Sequence, residues 1–286
     1  MRRTRTVIHA LIGTTVVAGG LAAFAPAAQA ITIPVACSES ALVAAVNLAN
    51  STSAADTLAL AGGCTYNMTS FHGSVANGQE ALPVIFTPIE MIGPAVIRRA
   101  SAVPFRIAEV GTTGSLTLTT SVVLANGSAV GDGGAILNFG AVTLTNSMLR
   151  NNTATGNGGG LANADTPTGT APAATFTRSP VVNNTSLLSG GGIFNGRRGT
   201  LTTTGVSGSP MFIQGNTASL RGGGIAAVSS TATTLTQTAV RDNVAVLTAG
   251  GVYRQGGTMT TTNSPITANI PNNCVGSVPA VPNCTG

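Results

Sequence analysis

From about residue 120 to the end, one signal returns at a nearly fixed interval, and a returning signal of this kind leaves few architectures open to the chain. Its clearest copy is Gly190-Gly191-Gly192-Ile193-Phe194-Asn195. Shorter echoes are Gly133-Gly134-Ala135-Ile136, Gly158-Gly159-Gly160-Leu161, Gly222-Gly223-Gly224-Ile225 and Gly250-Gly251-Val252. An asparagine precedes a glycine of each run by seven positions: Asn126, Asn152, Asn184, Asn216 and Asn243, with a weaker sixth copy at Asn269. Three residues earlier again stands an apolar side chain: Val123, Leu149, Val181, Ile213, Val240 and Ile266. The apolar residues that close the glycine runs, Ile136, Leu161, Ile193, Ile225 and Val252, are 25, 32, 32 and 27 residues apart. The two longer intervals carry inserts around Thr166 to Ala173 and Gly205 to Pro210. Equal coils with inserts at different places are the signature of a solenoid whose insertions become surface loops.

Between these landmarks the chain reads as short alternating strands, such as Ile89-Glu90-Met91-Ile92 and Leu116-Thr117-Leu118-Thr119, separated by glycine and small polar residues. A coil of about 25 residues divides into three short strands and three turns. The predicted fold is all-β, a single-stranded right-handed parallel β-helix with a short N-terminal capping helix. Composition supports a solenoid over a membrane or disordered chain. Charged residues are only 7% of the sequence, yet the apolar residues are periodic, so inward aliphatics form a core while Thr, Ser and Asn serve the outside and the turns.

The chain divides into four segments. Residues 1–30 have an arginine-rich start (Arg2, Arg3, Arg5), an apolar middle and Ala28-Gln29-Ala30 at the end, the pattern of a secretory signal peptide. Residues 31–70 form the cap. Leu42, Ala45, Val46 and Ala49 fall at helical spacing, with Ser38 or Ser40 as N-cap and Asn50-Ser51 as the stop, and a strand comes next at Asp56–Leu60. Residues 71–273 are the β-helix, and 274–286 a C-terminal loop. In an exported chain four cysteines read as two disulfides. Of the three connectivities, Cys37 with Cys64 and Cys274 with Cys284 alone keeps both links local. No second apolar run of membrane-spanning length occurs after the leader, and the mature chain is expected to be a monomer.

The residues resemble known repeats. The Gly-Gly-Ala-Ile tetrad at 133–136 is similar to the repeat of chlamydial polymorphic outer-membrane proteins, with an aliphatic residue replacing the phenylalanine of their second motif, as in Val240-Arg241-Asp242-Asn243. Over nearly its full mature length the chain resembles secreted actinobacterial right-handed parallel β-helix repeat proteins, through its cysteine-flanked N-terminal helix, threonine-rich rungs and terminal Asn272-Asn273-Cys274. That resemblance implies fold and export, and no particular activity.

Several chemistries lack their residues. The 13 basic residues are all arginine, and three of them lie in the leader, leaving ten against eight acids. The arginines are scattered in sequence and aromatics are few, so no nucleic-acid track is expected. Without lysine there is no phosphate-cradling Gly-Lys-Ser/Thr loop. Only Asp132 and Asp165 lie near glycine motifs, too few for a calcium-binding repeat roll. No cofactor or metal is expected. The asparagines Asn126, Asn152, Asn184, Asn216 and Asn243 are expected to stack as a structural amide ladder.

The same superfold houses polysaccharide lyases and hydrolases, which need converging carboxylates or an acid cluster with a base. Here the acids are scattered singly, with Asp132 and Asp165 the one pair expected in adjacent rungs, and His72 is the only histidine past the leader. A different pattern stands out. Thr117 and Thr119, Thr143 and Thr145, Thr175 and Thr177, Thr234 and Thr236 each flank an apolar residue. Alternation sends the central residue inward and both threonines outward. Thr200 and Thr202, then Thr260 and Thr262, are expected to continue the file. The result would be a flat, uncharged face suited to extracellular polysaccharide or a cell-wall surface. The expected function is therefore a non-catalytic adhesive or structural protein, with a divergent polysaccharide-degrading enzyme as the alternative.

Overall fold

The computed structural model describes residues 29–73, 76–164, 169 and 171–286. The expected leader at 1–30 thus lies almost wholly outside the described residues, as does Asp165. Within them the chain winds as a parallel β-helix. Strands recur in four parallel sheets of nine, eight, five and six strands, each strand bonded to its counterparts one coil before and one coil after. One coil serves as the pattern. Ala141–Thr145 lies in the nine-stranded sheet, Met148–Arg150 in the eight-stranded, Thr153–Ala154 in the five-stranded and Leu161–Asn163 in the six-stranded. The expected three strands per coil are therefore corrected to four. The additional sheet is built from two-residue strands, too short to display an alternation.

Packing obeys the pleat. In the nine-stranded sheet each five-residue strand from Pro88–Ile92 onward buries its second and fourth residues and leaves the first, third and fifth nearer the surface, whereas Asp56–Leu60 buries its first, third and fifth. Like residues then stack along the axis. Leu124, Leu149, Val181, Ile213, Val240 and Ile266 form one inner file, and Ile136, Leu161, Ile193, Ile225 and Val252 another. Burying each such aliphatic contributes about 1.5–3 kcal/mol. In its coil the first of these files is occupied by Leu124 and not, as the spacing predicts, by Val123. One extra residue in the turn at Thr120-Ser121, where both residues adopt positive φ (56° and 62°), displaces the next strand by one position.

The glycine runs mark the corner that leads into the six-stranded sheet. Gly133, Gly158, Gly190 and Gly222 all take φ near +70° (71°, 69°, 71° and 64°), a conformation in which a side chain is strained. At the neighbouring glycine, Gly191, a Cβ would stand 2.4 Å from the Thr217 carbonyl oxygen of the next coil, so only hydrogen fits.

Both ends are covered. Helix α1, Glu39–Asn50, starts at Ser38, whose Oγ accepts from the Ala41 N–H at 3.2 Å. It lays Leu42, Ala45, Val46 and Ala49 over the first coils. Asn50 pins its other end, donating to the Val84 carbonyl and accepting from the Phe86 N–H. The Cys37–Cys64 disulfide ties the start of α1 to the strand Cys64–Met68. At the far end Cys274–Cys284 closes a loop that is held to the last coil through Asn283 and the Pro282 carbonyl, both bonded to Thr261. Two formed disulfides indicate an oxidising compartment. Among the described residues no helix is long and apolar enough to cross a membrane.

Candidate functional site

The nine-stranded sheet carries the threonines. Its register sets Thr117, Thr143, Thr175, Thr202, Thr234 and Thr260 in one outward column. Two residues along, Thr119, Thr145, Thr177, Thr204, Thr236 and Thr262 form a second. The expectation is corrected in one coil. Thr200 stands a step early, beside Ala173 and Ala232, while Thr202 and Thr204 occupy the columns. Between them Thr203 takes the inward position that Leu144 and Phe176 fill elsewhere, fully buried, with its hydroxyl 2.8 Å from that of Thr238. This polar core residue masks the register in the sequence, where the apolar centre of the coil reads as Leu201.

The array is therefore two threonines wide and six coils long. Strand spacing of about 4.8 Å makes it about 24 Å from first row to last, with hydroxyls roughly 7 Å apart across a strand. The third outward column, starting Ser115, Ala141 and Ala173, is also small and uncharged. Towards the N-terminal cap the array stops, where Glu90 and Ile92 replace the paired threonines. Glu90 accepts from the Thr119 hydroxyl at 3.1 Å and borders a groove of about 220 Å³ shared with Asp56, Thr57 and Thr117.

Behind this face the asparagines build the ladder, in a changed register. Asn152, Asn184, Asn216, Asn243 and Asn269 are buried, and each donates from Nδ2 to the Oδ1 of the next at 2.9–3.0 Å. The same Oδ1 accepts the preceding asparagine's backbone N–H. Asn273 ends the series by accepting from Asn269. Asn126 is not a member. The extra residue at Thr120-Ser121 puts Gly127 in the ladder position, where its N–H donates to Asn152 Oδ1 at 2.8 Å. Asn126 takes instead the left-handed turn conformation of Asn151 and Asn183, with φ of 58° against 56° and 55°. A second ladder, Asn138, Asn163 and Asn195, is not among the sequence expectations, although an asparagine two residues beyond the apolar end of three glycine runs is its signal.

The acids are less scattered than their sequence positions suggest. Arg106, fully buried, donates to Glu80 Oε2 at 3.1 Å and to the carbonyls of Asn77 and Asp132, and lies 3.7 Å from Glu109. Asn77 bonds Glu109 in turn. Burial lowers the guanidinium's pKa, and the Glu80 and Glu109 charges oppose that. Gly78, at φ +113°, passes so close that a Cβ would meet Arg106 Nη2 at 3.0 Å. Glu80 and Glu109 are themselves buried and face a paired cation. The cluster clamps residues 77–80 onto the coil. Asp132 borders an open pocket beside this cluster, with Asn77 and Phe139, and its Oδ1 accepts the Asn157 N–H at 2.6 Å. His72 Nε2 lies 2.9 Å from Glu39 Oε1, beside the cap helix. Among the described residues no three His, Cys, Asp or Glu side chains come together as a metal site.

No protein-family model matches the chain, and neither does any curated protein or solved structure.

Proposed function

We propose that this is a secreted, non-catalytic β-helix that adheres to ordered extracellular polymer or cell-surface material through its threonine array. The observation that carries the reading is the register of twelve threonines in two outward columns on one sheet. Each offers a hydroxyl and a methyl at a repeat set by the backbone, and no charge or aromatic ring interrupts the six coils. A rigid face loses little conformational entropy on binding, because β-branched side chains in a strand are already restricted. Export is supported by the leader-like start and the two disulfides. The burial of Glu80 and Glu109 around Arg106 favours a structural role for these two acids over that of a hydrolytic pair.

The test is co-sedimentation of the purified protein with insoluble peptidoglycan, cellulose and chitin, with product analysis of each supernatant. The substitutions Thr143→Val, Thr145→Val, Thr175→Val and Thr177→Val together remove hydroxyls while keeping strand-compatible shapes. Retention should fall roughly tenfold or more, with the thermal midpoint nearly unchanged. Undiminished retention of this variant would sink the threonine face. Release of soluble sugars would replace the adhesive reading with an enzymatic one.

A further inference from the structure

The arginines that look dispersed along the chain are aligned by the fold. On the eight-stranded sheet, the register places Arg98, Ala125, Arg150, Val182, Gln214 and Arg241 in a single column. Their predecessors in sequence, from Ile97 and Leu124 to Val240, point into the core, so the column lies on the outer side of the sheet, with Ala125 alone of its six residues buried. Arg98 and Arg150 are exposed, and the Arg241 side chain is 43% exposed. At about 4.8 Å per strand, Arg98 and Arg150 stand roughly 10 Å apart and Arg150 and Arg241 roughly 14 Å apart, both whole multiples of the coil repeat.

Two of the three guanidiniums are pre-positioned. Arg98 Nε donates to Asn67 Oδ1 at 2.6 Å. Arg241 lies over the Phe212 ring, 5.0 Å from its centre, and donates to Gln214 Oε1 at 3.2 Å. Arg150 meets no carboxylate among the described residues. The acid that approaches this column is Asp242, whose Oδ2 is 4.0 Å from Arg241 Nε and accepts from Gln214. Elsewhere Glu80 and Glu109 are occupied by Arg106, and Asp56 by the Ile31 N–H and the Thr52 hydroxyl. The face is therefore net cationic, although beyond residue 30 the chain has only ten arginines against eight acids. Beside the arginines runs an apolar floor. Val123, Met148 and Pro180 border a groove of about 210 Å³, with the exposed Arg178 at its corner.

Guanidinium forks match planar carboxylates in paired hydrogen bonds, and an apolar floor accepts the C–H face of a sugar ring. Single-stranded nucleic acid would need successive stacking platforms, and on this face Phe212 is already covered by Arg241. We propose that this column binds a linear, carboxylate-bearing polysaccharide laid along the solenoid axis, its acid groups on Arg98, Arg150 and Arg241. The site lies on a different sheet from the threonine array and stands or falls separately from it.

De-esterified polygalacturonate is a suitable soluble probe, with binding measured by affinity electrophoresis or calorimetry. The native protein should bind it, and more weakly as salt is raised. Replacing Arg98, Arg150 and Arg241 together by glutamine should weaken binding roughly tenfold or more, and replacement by lysine should restore only part of it. Circular dichroism should show both variants folded, since all three side chains reach the surface. The four threonine-to-valine changes should leave this affinity unaltered. The proposal is overturned by failure of the native protein to bind, by unchanged affinity of the glutamine variant, by equal binding of fully methyl-esterified pectin, or by stronger competition from a single-stranded oligonucleotide of similar charge. Loss in the threonine variant with none in the arginine variant would move the ligand to the other sheet. That outcome would end this proposal and leave the adhesive reading in place.

Discussion

Every polar atom of the Asn216 side chain is engaged. Nδ2 donates to Asn243 Oδ1 and to the Val181 carbonyl, while Oδ1 accepts both the backbone N–H and Nδ2 of Asn184. Asn216→Ala would leave those buried partners unsatisfied, and each such group costs about 1–3 kcal/mol. Urea unfolding should therefore show a loss of at least about 2 kcal/mol. Asn126, in the left-handed turn outside the ladder, behaves differently. Asn126→Gly relieves its φ of 58° and should shift stability by no more than about 0.5 kcal/mol. The sequence pattern treats the two asparagines as equivalent. Val123 and Leu124 are both apolar and Gly133 and Gly134 are both glycine, so a one-residue slip in that coil leaves the visible offsets intact. The later asparagines are legible because their coils lack this extra residue.

Helix α1 is readable because four apolar residues share one face and a serine precedes it, two signals that reinforce each other. The five-stranded sheet is not, since its two-residue strands offer no period to detect. Nor is the arginine column, which depends on registers between coils of unequal length. At the start of α1, Glu39 is a small hub. Partial desolvation acts to raise its pKa, but hydrogen bonds from the Thr69 hydroxyl and N–H, His72 and the Ser70 N–H outweigh it and hold the carboxyl at about 2, below its ordinary 4.5. A carboxylate with a lowered folded-state pKa stabilises fully above the unfolded value and loses that contribution as pH falls towards the folded one. The thermal midpoint should decline between pH 4.5 and about 2, and Glu39→Gln should flatten part of that slope while lowering the midpoint at neutral pH. A slope identical in both proteins would assign the acid sensitivity to other groups.

For the whole molecule, the unit of tolerance is the coil. Excising residues 217–243 joins Asn216 directly to Val244, a residue that already pairs with Thr217, and leaves each remaining strand facing a residue of equivalent position. This shortened chain should fold cooperatively with five threonine rows in place of six, which near-ultraviolet dichroism and thermal melting would check. Excising one residue fewer leaves a surplus residue at the junction that has to be absorbed in the turn, as the extra residue at Thr120-Ser121 is, and should lower the thermal midpoint below that of the in-register deletion. Every amide-to-amide bond of the main ladder runs in the same direction, towards the C-terminal end, from Asn152 to the acceptor on Asn273, while each Nδ2 also donates to a backbone carbonyl of the preceding coil. The two ends are consequently not interchangeable: one begins with the backbone N–H of a glycine, which has no side-chain amide, and the other finishes on the Asn273 oxygen next to the disulfide-closed loop. The chain carries an arrow as well as a length. Two copies could not be spliced head to head, and a longer version has to be written in the same direction, one full turn at a time.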